Sequence, residues 1–253
     1  MGLANMVAKE NRAWWRTRRW WIQCLVALLL LNGNLALNLG LNQGRMGAYT
    51  AGLGFLMAAG LAVPIAAISM AQDSILGEKH SGTAAWVLSK PLRRPAFILS
   101  KLIAYGLGLL VAWIVLPGVI AYFQLRTASG LHLPALGFAG AMGLDYLNIL
   151  FYMALALMLS TLFDGRGPVL GVSIVVAWSG PMQFIVEPLE KYAPWLSSIL
   201  PWKLLMPIGR EDPLASFLAV GLRLPTVTPV IASAIWCVLF VAVALWRFRR
   251  EEL

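Results

Sequence analysis

Residues 73–101, DSILGEKHSGTAAWVLSKPLRRPAFILSK, separate two long apolar stretches, 51–71 and 97–123. The first 22 residues of this run carry six full charges: Asp73, Glu78, Lys79, Lys90, Arg93 and Arg94. A charge at the centre of a bilayer costs about 2.5–3.5 kcal/mol, so six would cost about 15–20 kcal/mol. The run is therefore expected to lie in water while the apolar stretches beside it cross the membrane.

The composition indicates the same class of protein. Hydrophobic residues make up 60% of the 253 residues, charged residues 12%, and the mean hydropathy is +0.76. Soluble domains have about 45–50% apolar and about 25% charged residues, so a soluble fold is excluded. The net charge of +9 is then a property of membrane-flanking loops and does not indicate nucleic-acid binding. Cys24 and Cys237 both lie in apolar runs, so neither a disulfide framework nor a metal site is expected.

The apolar runs predict an all-α polytopic membrane protein with a single domain over residues 1–253. A run of about 20 apolar residues crosses the hydrocarbon core. The predicted transmembrane helices are six in number: 20–39, 50–72, 97–123, 144–163, 168–186 and 229–246.

Residues 2–19 precede the first predicted span and form an amphipathic pattern. Leu3, Met6, Val7 and Trp14 share one helical face, and the basic side chains lie mostly on the other. We expect an elbow helix along the membrane surface, with its tryptophan at the headgroups and its arginines near anionic lipid. The interfacial anchors are predicted to be Trp14, Arg16 and Arg19.

The start of the fourth span has two interpretations. Residues 124–143 either form a short outer-surface helix or begin a longer span. A start at Leu144 places Asp145 near the interface, and we prefer this start. A start at Leu136 would place Asp145 inside the membrane, where an ionisable residue is a functional candidate by default.

Residues 187–228 are apolar but broken by prolines into pieces too short to cross. They predict broken, re-entrant helices outside the cell, buried against protein. Six crossings place both termini on one side. That side holds fourteen Lys and Arg residues and the other side holds six, so the termini and residues 73–96 are predicted to be cytoplasmic.

The chain lacks the motifs of a self-contained enzyme or pump. GxxxxGK[ST], HExxH and GxSxG do not occur in it. We therefore predict no catalytic, cofactor-binding or metal-binding residues.

The pattern within the charged run resembles a known family. Glu78-Lys79 precede Gly82-Thr83, an apolar helix follows up to Ser89-Lys90-Pro91, and two arginines and Lys101 enter the next span. This is similar to the cytoplasmic loop of permease subunits in type-2 ATP-binding-cassette exporters. The resemblance extends to the elbow helix, the six spans and LSTLF at 159–163.

The resemblance implies a coupling helix within 73–96 that docks on a separate ATPase subunit. It also implies two ATPase copies that bind the ATP and Mg, a second permease subunit of the same or another kind, and the inner or plasma membrane. Glu78 is expected to be free to pair with the partner, and Trp86 is expected to anchor the contact. The predicted contact residues are Glu78, Lys79, Gly82, Thr83, Trp86, Leu88, Arg93 and Arg94.

Three other interpretations stay open from the sequence. An ion-coupled transporter or channel would depend on Asp145 within the membrane. An intramembrane enzyme would need clustered carboxylates, histidine or serine, and a structural membrane protein would need no site at all.

Overall fold

The computed structural model describes residues 2–42, 44–81, 94–129, 133–209 and 211–250. Regular structure in these ranges is helical, apart from one isolated bridge between Ile208 and Glu211. The predicted all-α class is confirmed.

The helices follow one another as α1 to α11. Two of them contain a π-helical turn: α2 is Arg19–Ala27, Leu28–Asn32 (π) and Gly33–Leu41, and α4 is Arg94–Leu109, Leu110–Val115 (π) and Leu116–Ser129. The others are α1 Leu3–Arg16, α3 Gly44–His80, α5 Ala135–Leu162, α6 Arg166–Ser179, α7 Gln183–Tyr192, α8 Pro194–Ile199, α9 Trp202–Leu205, α10 Leu214–Ala219 and α11 Thr228–Arg249.

Five helices of the described chain are long and apolar enough to cross a membrane: α2, α3, α4, α5 and α11. The sixth crossing depends on α6 and α7. These two helices are long and apolar enough to cross a membrane only when they are taken together, and the pair is bent by 73°. Sequence predicted this crossing as one span over 168–186. That prediction is wrong in detail, because Gly180-Pro181 separates α6 from α7 and proline cannot donate an intrahelical hydrogen bond.

The helices α3 and α4 are longer than a membrane requires. The apolar segments of α3 and α4 contain 37 and 34 residues, so at 1.5 Å per residue they are about 55 and 50 Å long. The hydrocarbon core of a membrane is about 30 Å thick. Sequence placed the end of the second span at Gln72, but α3 continues to His80. Glu78 and Lys79 are therefore helical residues in its last turn.

The fifth helix corrects the prediction for Asp145. The fourth span was predicted to begin at Leu144, but α5 begins at Ala135, after Pro134. Asp145 is ten residues into the helix and 1% exposed, so it does not lie at the start of a span. The early glycines of α5 have a packing role, since a Cβ on Gly140 would lie 3.4 Å from Leu218 in α10.

The ends of the helices gather in two places. Asp73 of α3 contacts both Arg19 at the start of α2 and Arg166 at the start of α6, and we call this the charged end of the bundle. At the opposite end, Tyr49 near the start of α3 donates a 2.6 Å hydrogen bond to Asp212, between α9 and α10.

The first helix packs against α4. Its buried face consists of Met6, Glu10 and Trp14, spaced by one helical turn. The indole of Trp14 is 2% exposed, lies directly over Gly108 and meets the Tyr105 ring edge-on at 5.9 Å. Sequence placed Trp14 at the lipid headgroups, and this is wrong: the indole fills the space that a glycine leaves on α4.

We expect Gly108→Ala to separate α1 from α4. A Cβ on Gly108 would overlap the Trp14 indole, and overpacking costs about 1–3 kcal/mol. The thermal unfolding midpoint of the purified protein in detergent should therefore fall. Gly171→Ala in α6 is the matched control, since a Cβ there meets nothing within 4 Å. Equal midpoints for the two variants would contradict this packing.

Candidate functional site

The candidate site lies at the charged end, where five helices bring acidic and basic side chains together: α1, α2, α3, α4 and α6. Its centre is Lys101 in α4, whose side chain is fully buried. The Lys101 ammonium donates a 2.6 Å hydrogen bond to Glu78 Oε1 in the last turn of α3. The same ammonium lies 3.8 Å from Glu10 Oε1 in α1. One cation is thus shared by carboxylates from two other helices.

The side chains around Lys101 stabilise its buried ammonium. The ammonium lies 4.8 Å from the centre of the Phe97 ring, and that ring stacks on Phe248 of α11 at 5.2 Å. Burying a lone ammonium costs several kcal/mol, so a buried lysine requires charged or hydrogen-bonding partners. Glu78 and Glu10 are those partners among the residues that the structure describes.

A second group of contacts joins α3 to the turn before α6. Lys79 Nζ lies 3.3 Å from Asp164 Oδ1, and His80 Nε2 lies 3.1 Å from the Asp164 carbonyl oxygen. Arg166 donates a 3.0 Å hydrogen bond to Asp73. The side chain of Asp164 is 91% exposed and that of Arg166 is 54% exposed, and exposed pairs contribute about 0–1 kcal/mol each. These exposed contacts align the end of α3 with the start of α6. The buried pair between Lys101 and Glu78 contributes more to the stability of the helix ends.

The comparisons with known proteins identify the family of this chain. The family model described as "ABC-2 family transporter protein" matches residues 4–253. The chain belongs to the ABC-2 transporter family. A curated relative, the "Probable ABC transporter permease protein NosY" of Pseudomonas aeruginosa, is 27% identical over 197 residues, covering 73% of this chain and 70% of the relative.

The protein is accordingly a transmembrane permease subunit of an ABC transporter, and a multi-pass membrane protein. Membership of this family implies a partner ATPase. The resemblance recognised in the charged run is confirmed at the level of the family.

The structure of the permease places only some of the predicted contact residues. Glu78 and Lys79 are in the network at the charged end, and the prediction that Glu78 is free is wrong because Lys101 holds its Oε1. Arg94 is the first residue of α4, but its side chain lies outside the described residues. The remaining predicted contacts lie outside the described ranges altogether: Gly82, Thr83, Trp86, Leu88 and Arg93.

The predicted membrane anchors of the permease differ in exposure: the two arginines are exposed and the tryptophan is buried. Arg16 and Arg19 are exposed, as a lipid contact requires, and Arg19 also lies 3.8 Å from Asp73. Trp14 is inside the protein, and the exposed indoles nearby belong to Trp15 and Trp21, which are 39% and 44% exposed.

Sequence reasoning missed the partnership of Lys101 with Glu10. One signal was available: Glu10 is the sole acidic residue in 1–19 and lies one turn from both Met6 and Trp14 on the apolar face. An acid on the buried face of an amphipathic helix requires a cationic partner, and α4 supplies it.

The opposite end of the permease is closed by the short helices. The Trp202 indole is 6% exposed and donates a 2.8 Å hydrogen bond to the Val176 carbonyl oxygen. A Cβ on Gly60, in the middle of α3, would lie 3.0 Å from Met206 Cε and 3.2 Å from Leu205 Cβ. The segment around α9 thus fills space between α3 and α6.

We expect Lys101→Met to destabilise the permease strongly. The variant leaves Glu78 and Glu10 without their cation, and breaking a buried ion pair costs about 3–5 kcal/mol. Lys9→Met is the matched control, because Lys9 lies 3.9 Å from Glu10 but is 54% exposed; its loss should cost about 0–1 kcal/mol. Denaturant unfolding in detergent micelles measures both, and a Lys101→Met variant as stable as Lys9→Met would contradict the assignment.

Proposed function

We propose that this chain is the permease half of an exporter, and that ATP hydrolysis by a separate subunit drives it through residues 73–96. Two ATPase copies bind the ATP and Mg. Each docks on the coupling segment of one permease chain, and the second permease is either a copy of this chain or a related one. The chain itself has no nucleotide-binding motif, which supports a division of labour between subunits.

The charge distribution supports a cytoplasmic location for the charged end. Residues 1–19, 73–101, 164–167 and 247–250 together hold fourteen of the twenty Lys and Arg residues. We therefore assign both termini to the cytoplasm and the chain to the inner or plasma membrane. Arg16 and Arg19, both exposed, are assigned to anionic lipid on the same face.

The outer gate is assigned to the segment around α9. Outward opening of the pathway between two permease chains requires a movable closure at the outer end. Trp202, Leu205 and Met206 fit that role because they fill the space that the glycines Gly180 and Gly60 leave open. A small shift of this segment would uncover the α3 wall.

The observation that carries the proposal is the match of the ABC-2 family over residues 4–253, together with the long helices that flank the charged run. The surplus length of α3 carries Glu78 seven residues beyond the apolar stretch 51–71, next to the segment on which the ATPase is proposed to dock.

Copurification with the ATPase subunit tests the coupling segment. Trp86→Ala combined with Leu88→Ala should abolish ATPase binding and the stimulation of its ATPase activity, because both predicted apolar anchors are lost. The matched control at the opposite end is Trp195→Ala with Leu222→Ala, two side chains that are 65% and 57% exposed. That variant should bind normally.

Trp86→Ala alone separates docking from folding. It leaves the bond between Lys101 and Glu78 in place, so the thermal midpoint of the permease should not change while ATPase binding weakens by about tenfold or more, the loss of a hot-spot residue worth about 2 kcal/mol. Full binding by the double variant at the coupling segment would refute the proposed docking site.

Cysteine labelling tests the orientation. In a background without Cys24 and Cys237, Leu222→Cys should react with a membrane-impermeant maleimide in intact cells, since Leu222 is 57% exposed at the outer end. His80→Cys, exposed at the charged end, should react only after permeabilisation. Labelling of His80→Cys in intact cells would reverse the assigned orientation.

A further inference from the structure

We infer that Lys101 is a positioning residue that couples α1 to the end of α3, so that movement delivered by the ATPase reaches the N-terminal helix through this one ammonium. The inference rests on the proposed function, in which the ATPase acts next to the end of α3. It concerns what happens inside the permease after docking.

The first step is the geometry of the shared cation. Glu78 is two residues before His80, where α3 ends, and its carboxylate accepts a 2.6 Å hydrogen bond from Lys101 Nζ. Glu10 Oε1 is 3.8 Å from the same nitrogen. An ammonium has three N–H donors and Lys101 has no exposed surface, so water does not replace a lost carboxylate. A displacement of Glu78 therefore moves Lys101, and Glu10 follows.

The second step is the rigidity of α1. Met6 and Trp14 flank Glu10 on the same face, are each 2% exposed, and pack with it against α4. Trp14 fits over Gly108, about two helical turns beyond Lys101. The helix is thus held at three successive turns and moves as one body, with the charged contact between two apolar ones.

The third step distinguishes this device from a merely stabilising pair. A hydrophobic residue at 101 would have packed α4 against α1 without any link to α3, and buried ion pairs add little net stability over such packing. The carboxylates come from two different helices, and only a shared cation makes the position of α1 depend on the position of Glu78. The contact between Glu10 and Lys101 is the longer of the two, so it is the one that can be removed with least damage to the fold.

The test is the nucleotide-dependent distance between α1 and a distant helix in the intact complex. Spin labels are placed at Ala8→Cys, on the exposed face of α1, and at Leu239→Cys, 46% exposed on α11, in a background lacking Cys24 and Cys237. Labelled chains are diluted with unlabelled chains in lipid nanodiscs with the ATPase subunit. Pulsed electron paramagnetic resonance then compares the nucleotide-free state with ATP plus vanadate.

With the native charges, we expect the mean distance to shift by about 2 Å or more on nucleotide binding, the scale of helix shifts in switching proteins. Glu10→Gln should abolish the shift while the ATPase still copurifies, and Glu78→Gln should abolish the shift as well. Lys9→Met, the matched neutralisation of an exposed cation near Glu10, and Lys101→Arg, which keeps the charge, should retain it.

Charge exchange provides the second arm. Exchanging Glu78→Lys with Lys101→Glu restores one pair but places a glutamate at 101 opposite Glu10, so the shift should stay absent. Adding Glu10→Lys restores both pairs and should restore the shift.

A shift that survives in Glu10→Gln and Glu78→Gln, or that is absent with native charges although the ATPase is bound, overturns the inference. Failure of the ATPase to bind the native chain is a separate result, which refutes the proposed function and this inference with it.

Discussion

The cost of placing charge in hydrocarbon determines how this permease is built. The second and third long helices, α3 and α4, both exceed the membrane thickness, and charged residues of both lie towards the same end. At this end of the bundle the charged side chains pair with one another: Lys101 with Glu78 and Glu10, and Asp73 with Arg166 and Arg19. These ion pairs join α1, α2, α3, α4 and α6.

Most of the fold was predictable because hydropathy is a local property. The all-α class and the crossings follow from runs of about 20 apolar residues, and the charged run between α3 and α4 is visible without any partner. The helix ends were not predictable in this way. Sequence ended the second span at the first charge, but charged residues continue α3 to His80 because their partners lie on other helices. Likewise α5 begins at Ala135, after Pro134, and its early turns pack against α10, where Gly140 faces Leu218 across 78 positions of sequence.

The candidate site shows the same limit more sharply. The resemblance identified Glu78 and Lys79 from the spacing of the charged run, yet it assigned Glu78 a free carboxylate. Its actual partner, Lys101, is 23 residues away, and the second carboxylate, Glu10, is 91 residues from that lysine. Trp14 was misplaced for a related reason: a tryptophan beside arginines is typical of the headgroup region, and only the absence of a side chain at Gly108 makes room for it inside.

Asp145 is set apart from the charged contacts of the described helices. Its carboxylate is 1% exposed, and within the described residues neither oxygen has a hydrogen-bond partner. Ion-coupled transporters pair such a group with other ionisable residues along the pathway, whereas the ion pairs of the described helices lie at the two ends of the bundle: those of Lys203 at the end that holds α9, and the rest at the charged end. None of these pairs includes Asp145. The ion-coupled alternative raised by the sequence is therefore not favoured, and the family match identifies a permease subunit of an ABC transporter instead.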